Sequence, residues 1–305
     1  MFRHILVPLD GSRLAEAALQ MAATLARRFD SSLTLLHMLE KDAPSEVHRQ
    51  RHLVSAAEAA TYLEEVSRLS ILAGLRVQTH VHEAEVSDVA GSVTAHAAEL
   101  SPDLVVMSTH GLGGARRFLY GTLAQQVIAR GTTPVIVVRP SREAPRQVGG
   151  GEWRTILAPT DGDPTHERCL PVAVDLARAF RCRLHLVMVV PTMGKLSGLP
   201  AALSLMLPAA TRIKLEMESA GARDYLETKQ KEMEAAGVRT DSEATRGDPA
   251  RAIVKAARRL SADLIVMGTH GRTGTDAFWA GSVAAQVIAR SRAPLLLVPL
   301  HPPER

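Results

Sequence analysis

Two periods run along the chain. Nearly uninterrupted apolar runs, HILVPL at 4–9, LTLLHML at 33–39, LVVM at 104–107 and PVIVV at 134–138, are separated by longer stretches such as SRLAEAALQMAATLARRF at 12–29. In the latter the apolar residues recur every three to four positions, the spacing of an amphipathic helix, whereas the short continuous runs suit strands buried on both faces. The pattern predicts strands over Ile5–Leu9, Leu33–Leu39, Val77–His82, Leu104–Ser108 and Val135–Val138, with helices between them.

The same order then returns. HILVPLDGSRLAEAAL at 4–19 is matched by TILAPTDGDPTHERCL at 155–170, and LTLLHML by LHLVMVV at 184–190, both at an offset of 151. The stretch from Ser101 to Val138 is matched by 261–298 at an offset of 160, so the second copy carries nine extra residues in its middle. Its predicted strands are Ile156–Thr160, Leu184–Val190, a weaker one near Arg239–Thr245, Leu264–Gly268 and Leu295–Val298. Internal repetition at this scale means two domains of one design. They are expected at 1–142 and 152–305, joined by the polar RPSREAPRQVGGGE at 139–152. Strands alternating with helices predict an α/β fold: two tandem, doubly wound, five-stranded, mostly parallel Rossmann-like domains. Ligands of such sheets bind beyond the carboxyl ends of the strands, where strand order reverses.

Composition narrows the options. At 305 residues, 46% hydrophobic and 22% charged, the chain is globular, and no apolar run approaches the roughly 18 residues of a membrane span. MFRHILVPLDGS reads as a first strand rather than a signal peptide, so the expected location is the cytoplasm, away from membranes. Net charge is +4 with 3% aromatics and no dense basic run, a poor match to nucleic acid. Cys169 and Cys182 are two cysteines outside any CxxC pair, read as small buried hydrophobes.

The turn after the first strand, LDGSRL or TDGDPT, has one glycine where a dinucleotide fingerprint needs three, and no Walker A loop is present. The glycines follow the fourth strand instead, as GTHGRTGTDAFWAGS at 268–282. Loop N–H groups and the start of the next helix suit phosphate oxygens. Gly268, Gly271 and Gly281 permit close approach, Ser282 can cap the helix or bond a phosphate, and Pro159 and Asp161 would face them across the crevice. A carboxylate there can accept hydrogen bonds from ribose hydroxyls or an adenine amine.

This constellation resembles the universal stress protein family over essentially the whole chain, as two tandem domains. The family motif G-x-x-G-x₉-G-[ST] is matched by Gly268, Gly271, Gly281 and Ser282; in the first copy Gly111, Gly121 and Thr122 match, but Ser108 replaces the first glycine. The resemblance further implies that Asp10 and Asp161 bind ligand and that Met38 and Val189, ending the second strands, lie against the base. Pro8, Met107, Leu123, Met267 and Val283 flank these positions and complete the implied sites. The implied ligand is ATP or another adenine nucleotide, with or without Mg²⁺, held as a regulatory ligand in stress response rather than turned over. Family members pair their last strands, which here implies an intramolecular pseudo-dimer, with a homodimer of chains as a further level.

Other readings stand beside these. Asp10 and Asp161 can cap the helices that follow, and Met38 can be core. His110 and His270 fall in the glycine loop in a structural or phosphate-side role, and His80 and His82 share a strand face with no third metal ligand evident. RGDPARAI at 246–253 reads as a helix start capped by Asp248, a signature of which the first copy keeps Asp88. The nine-residue excess lies in a Met- and Leu-rich flap or a surface loop. If position 108 requires a positive φ, its serine costs on the order of 1 kcal/mol, and the second site is expected to bind more tightly. Two alternative functions are a partner-binding module without nucleotide, and an ATP-using enzyme of the adenine nucleotide hydrolase-like kind.

Overall fold

In the computed structural model of the chain, the structure describes residues 1–41, 46–47, 50–51, 53–109, 123–140, 153–192, 205–269 and 282–300. In chain order the first repeat runs β1 (His4–Pro8), α1 (Arg13–Phe29), β2 (Ser32–Glu40), the two-residue strands β3 (Glu46–Val47) and β4 (Gln50–Arg51), α2 (Ala56–Ser67), β5 (Arg76–Val86), α3 (Val89–Leu100), β6 (Leu104–Ser108), α4 (Leu123–Arg130) and β7 (Val135–Val138). The second runs β8 (Thr155–Thr160), α5 (Leu170–Phe180), β9 (Arg183–Val190), α6 (Pro208–Ala235), β10 (Thr240–Arg246), α7 (Pro249–Arg259), β11 (Leu264–Thr269), α8 (Val283–Arg290) and β12 (Leu295–Pro299). Every strand expected from the apolar runs is present; β3 and β4, which pair antiparallel, are additions.

The chain divides into two compact units. The first contains the whole first repeat and, from Pro294 onward, the end of the chain. Its strand order is β12-β7-β6-β1-β2-β5. β1 pairs parallel with β2 and β6, as β6 does with β7, while β12 lies antiparallel to β7 with Leu296 opposite Ile136. The second unit has the order β10-β9-β8-β11, and the pairings of β8 with β9 and β11 and of β9 with β10 are parallel. In each unit the order therefore reverses at the first strand of the repeat, β1 or β8.

The core follows from the apolar runs. Ile5, Leu6 and Val7 of β1, and Ile156, Leu157 and Ala158 of β8, have no exposed surface. Helices start and stop where local chemistry requires it. Ser12 Oγ accepts the Ala15 N–H to cap α1, and Asp30, with φ 52°, ends that helix in the left-handed region. Asp248 caps α7 through the Arg251 N–H with Pro249 in the first turn, and Asp88 caps α3 through Gly91, as the sequence suggests. Cys169 and Cys182 are buried free thiols; burial pushes them up to about 11 and about 12.

Candidate functional site

The switch point of each unit carries the same local structure. After β1, Asp10 Oδ1 accepts the Ser12 N–H at 2.9 Å, and Gly11 between them takes a φ of 86°. After β8, Asp161 Oδ1 accepts the Asp163 N–H at 3.1 Å around Gly162, whose φ is 81°. These are Asx turns, in which a short carboxylate side chain bonds the backbone two residues on. The cap of α1 is Ser12 and not Asp10, so the aspartate is tied to the turn rather than spent on the helix. Pro8 and Pro159 sit half-buried at the ends of their strands.

In the second turn His166, Thr160 and Tyr225 add side-chain contacts. His166, on a short 3₁₀ turn ahead of α5, places Nδ1 2.6 Å from Asp161 Oδ2. Thr160 Oγ1 accepts the Gly162 N–H at 3.2 Å and lies 3.3 Å from the Tyr225 hydroxyl of α6. Neither Ala15 nor Leu9, the matching residues of the first repeat, can make such bonds.

The fourth-strand positions complete the crevice as far as it is described. Met107 and Ser108 are buried at the end of β6, and Met267 and Gly268 lie in β11. Neither Ser108 nor Gly268 is among the residues with positive φ. The backbone penalty considered for a serine at 108 does not arise, because both positions are extended strand. What differs is side-chain volume. Cys169 lies beside the Gly268 backbone N–H, while the matched first-repeat pair is Ala18 and Ser108. Bulk is thus exchanged between helix and strand at matched positions.

Ser282 caps α8, its Oγ accepting the Ala285 N–H at 3.1 Å, and Leu123 and Val283 open α4 and α8. That hydroxyl serves the helix start, one of the two roles foreseen for it. Gly111, Gly121, Thr122, Gly271 and Gly281, like His110 and His270, lie outside the described residues. The two positions ending the second strands diverge: Met38 is 7% exposed and in the core, whereas Val189 is half-buried. Met188, not foreseen, brings its Cε within 3.4 Å of where a Cβ on Gly162 would stand.

His80 and His82 do share a face of β5, and the structure adds a third imidazole that spacing did not reveal. His96 of α3 lies with its ring centre 5.2 Å from His80 and 4.9 Å from His82. Its Nδ1 is 2.9 Å from the Ser92 carbonyl oxygen, and no group among the described residues could hold a metal ion. Burial holds His80 below its ordinary pKa, with His96 adding to the effect.

No described helix is long and apolar enough to cross a membrane. Comparison with known proteins agrees with this architecture. The model of the universal stress protein family matches residues 1–139 and again 152–299. A universal stress protein of Methanocaldococcus jannaschii is 33% identical over 150 residues, covering 49% of this chain and 84% of that protein. One of Mycolicibacterium smegmatis is 24% identical over 307 residues, with 96% of each chain covered. Among solved structures, a universal stress protein of Archaeoglobus fulgidus superposes with a TM-score of 0.67 at 16% identity over 97% of this chain and 96% of its own, a likeness of fold. Two matched domains, the shared fold and the twice-built switch-point turn place the chain in the universal stress protein family, as a tandem member.

Proposed function

We propose that this chain binds an adenine nucleotide, ATP in the first instance, as a regulatory ligand in a stress response. The observation that carries the reading is the repeated turn: an aspartate directly after the switch-point strand, held by its own backbone in both repeats. At that place a carboxylate accepts hydrogen bonds from ribose hydroxyls or an adenine amine, and the capped start of α8 favours phosphate oxygens. Asp10 and Asp161 are the ligand-contacting residues of this reading, with Gly268 and Ser282 on the phosphate side of the second site. Gly111, Gly121, Thr122, Gly271 and Gly281 share that role by their motif positions. Mg²⁺ accompanies the phosphates where the nucleotide brings it. The reading is of a ligand held and not turned over, in a cytoplasmic protein whose two domains act as an intramolecular pair.

The test is mass spectrometry of whatever freshly purified protein releases on denaturation, followed by calorimetric titration with ATP. Released ATP, ADP or AMP together with saturable heat supports the reading; neither release nor heat refutes it. A second reading has its own observation. Leu205, Met206, Leu207, Ile213 and Met217, at and before the start of α6, are between 55% and 86% exposed. So much exposed apolar surface in one stretch suits a protein partner.

A further inference from the structure

Each unit ties two of its helical segments together with one tyrosine–glutamate bond. In the first, the Tyr62 hydroxyl of α2 donates to Glu16 Oε1 of α1 at 3.2 Å. In the second, the Tyr225 hydroxyl of α6 donates to Glu167 Oε1, on the 3₁₀ turn that precedes α5. Glu16 and Glu167 are matched at the offset of 151, but the tyrosines stand 163 apart, outside that register. The bond is thus kept by geometry across a region where the two copies differ in length.

In the first repeat the position matching Thr160 is Leu9, which has no hydroxyl. In the second, Thr160 replaces Leu9 and extends the connection to the ligand turn. The direction of every proton in this chain is fixed. A backbone N–H can only donate, so Gly162 gives to Thr160 Oγ1 at 3.2 Å. Tyr225 gives its proton to Glu167, so across the 3.3 Å contact Thr160 must give to Tyr225. Lys229 Nζ, 3.1 Å from Glu167 Oε2, anchors the far end. Burial pushes the Tyr225 hydroxyl up to about 12, so it keeps its proton at neutral pH. Bonds aligned head to tail in this way polarise one another, so loss of one link weakens the rest.

We infer that Tyr225 is a positioning residue that sets the 160–163 turn, and with it Asp161, from helix α6. The consequence for ligand rests on the nucleotide reading above; the consequence for the turn does not. The experiment uses the full chain and reads both. Hydrogen exchange of the Gly162 amide, followed by NMR in the absence of nucleotide, should accelerate in Tyr225→Phe about two- to tenfold, the effect of removing one neutral hydrogen bond. Thr160→Val should accelerate it further, and Thr160→Ser, which keeps the hydroxyl, should restore protection. In an Asp10→Ala background, where only the second site titrates, Tyr225→Phe should weaken ATP binding by a similar factor. Unaltered Gly162 exchange in Tyr225→Phe overturns the inference whether or not ATP binds. Faster exchange in a chain that takes no ATP supports the positioning role and removes only the nucleotide reading.

Discussion

Asp161 Oδ2 and His166 Nδ1 stand 2.6 Å apart, and the position matching His166 in the first repeat is Ala15. One oxygen of this carboxylate is held by the Asp163 N–H and the other by the imidazole. An ionised carboxylate has about four acceptor positions, so two remain for a ligand and both oxygens are already oriented.

The imidazole held against Asp161 predicts tight ATP binding at the second site, which is expected to bind more tightly than the first. Preorganisation lowers the ordering cost of binding, so His166→Ala should weaken the second site about two- to tenfold. In calorimetry Asp161→Ala should remove the tighter event and Asp10→Ala the weaker one. Equal affinities, or the reverse order, would show that the bracing of the second turn does not set affinity.

Two glycines should respond to alanine with opposite signs. Gly162 has a φ of 81°, and the 3.4 Å to Met188 leaves room for a Cβ, so the cost there is backbone strain of roughly 1–2 kcal/mol. Gly221 lies inside α6 with nothing within 4 Å of its added Cβ. Gly221→Ala should stabilise by about 0.5–1 kcal/mol. Urea unfolding of the two variants reads both signs, and a stabilising Gly162→Ala would contradict the turn geometry.

Two imidazoles that folding desolvates, the half-buried His80 and the buried His185, give a pH dependence. Desolvation holds His80 and His185 below 6.5 in the folded chain, with Glu243 opposing it at His185. The unfolded chain then binds more protons, so the stability contributed by keeping these rings neutral is present above 6.5 and is lost as pH falls from there through the folded values. Chemical denaturation across this window should show stability declining toward acid, and His185→Gln should flatten the decline. A slope unaffected by the substitution would assign the dependence to other groups.

A chain ending at residue 293 should associate with itself. It lacks β12, whose pairing with Val135–Val137 occupies the outer edge of β7. An apolar strand with a bare edge is a template for intermolecular pairing. Sedimentation at rising concentration should show larger species that the full chain does not form; a monodisperse truncated chain would count against this role for β12.

The strands were legible because parallel strands buried on both faces read as continuous apolar runs, and Leu33–Leu39 or Leu264–Gly268 admit little else. Asp248 and Ser282 were legible for a local reason, since a cap is a relation between neighbours in sequence. His96 was not, because the β5 pattern says nothing of which helical residue covers it. Tyr225 was equally hidden: its partners Glu167 and Thr160 are far away in sequence, and the differing lengths of the two middles break the register that matched everything else. The affinity penalty expected of Ser108 depended on φ, and a strand end looks the same in sequence as a left-handed turn. Alignment of the copies also compares positions singly, so it passed over the exchange of volume between Ala18 with Ser108 and Cys169 with Gly268.

The placement of β12 bears on how the molecule is made. The first unit takes a strand from the last element of the second repeat, after β8 to β11 have been synthesised. A ribosome delivers residues in order, so β7 emerges and waits with one edge bare until Leu295–Leu297 appear. The closing step pairs segments separated by almost a full repeat, a slow event by loop-closure entropy. During that interval the nascent first unit is most exposed to mispairing with its neighbours. Delivery of β12, which completes the second repeat, rather than completion of the first, is therefore the point at which the edge of β7 is protected from mispairing.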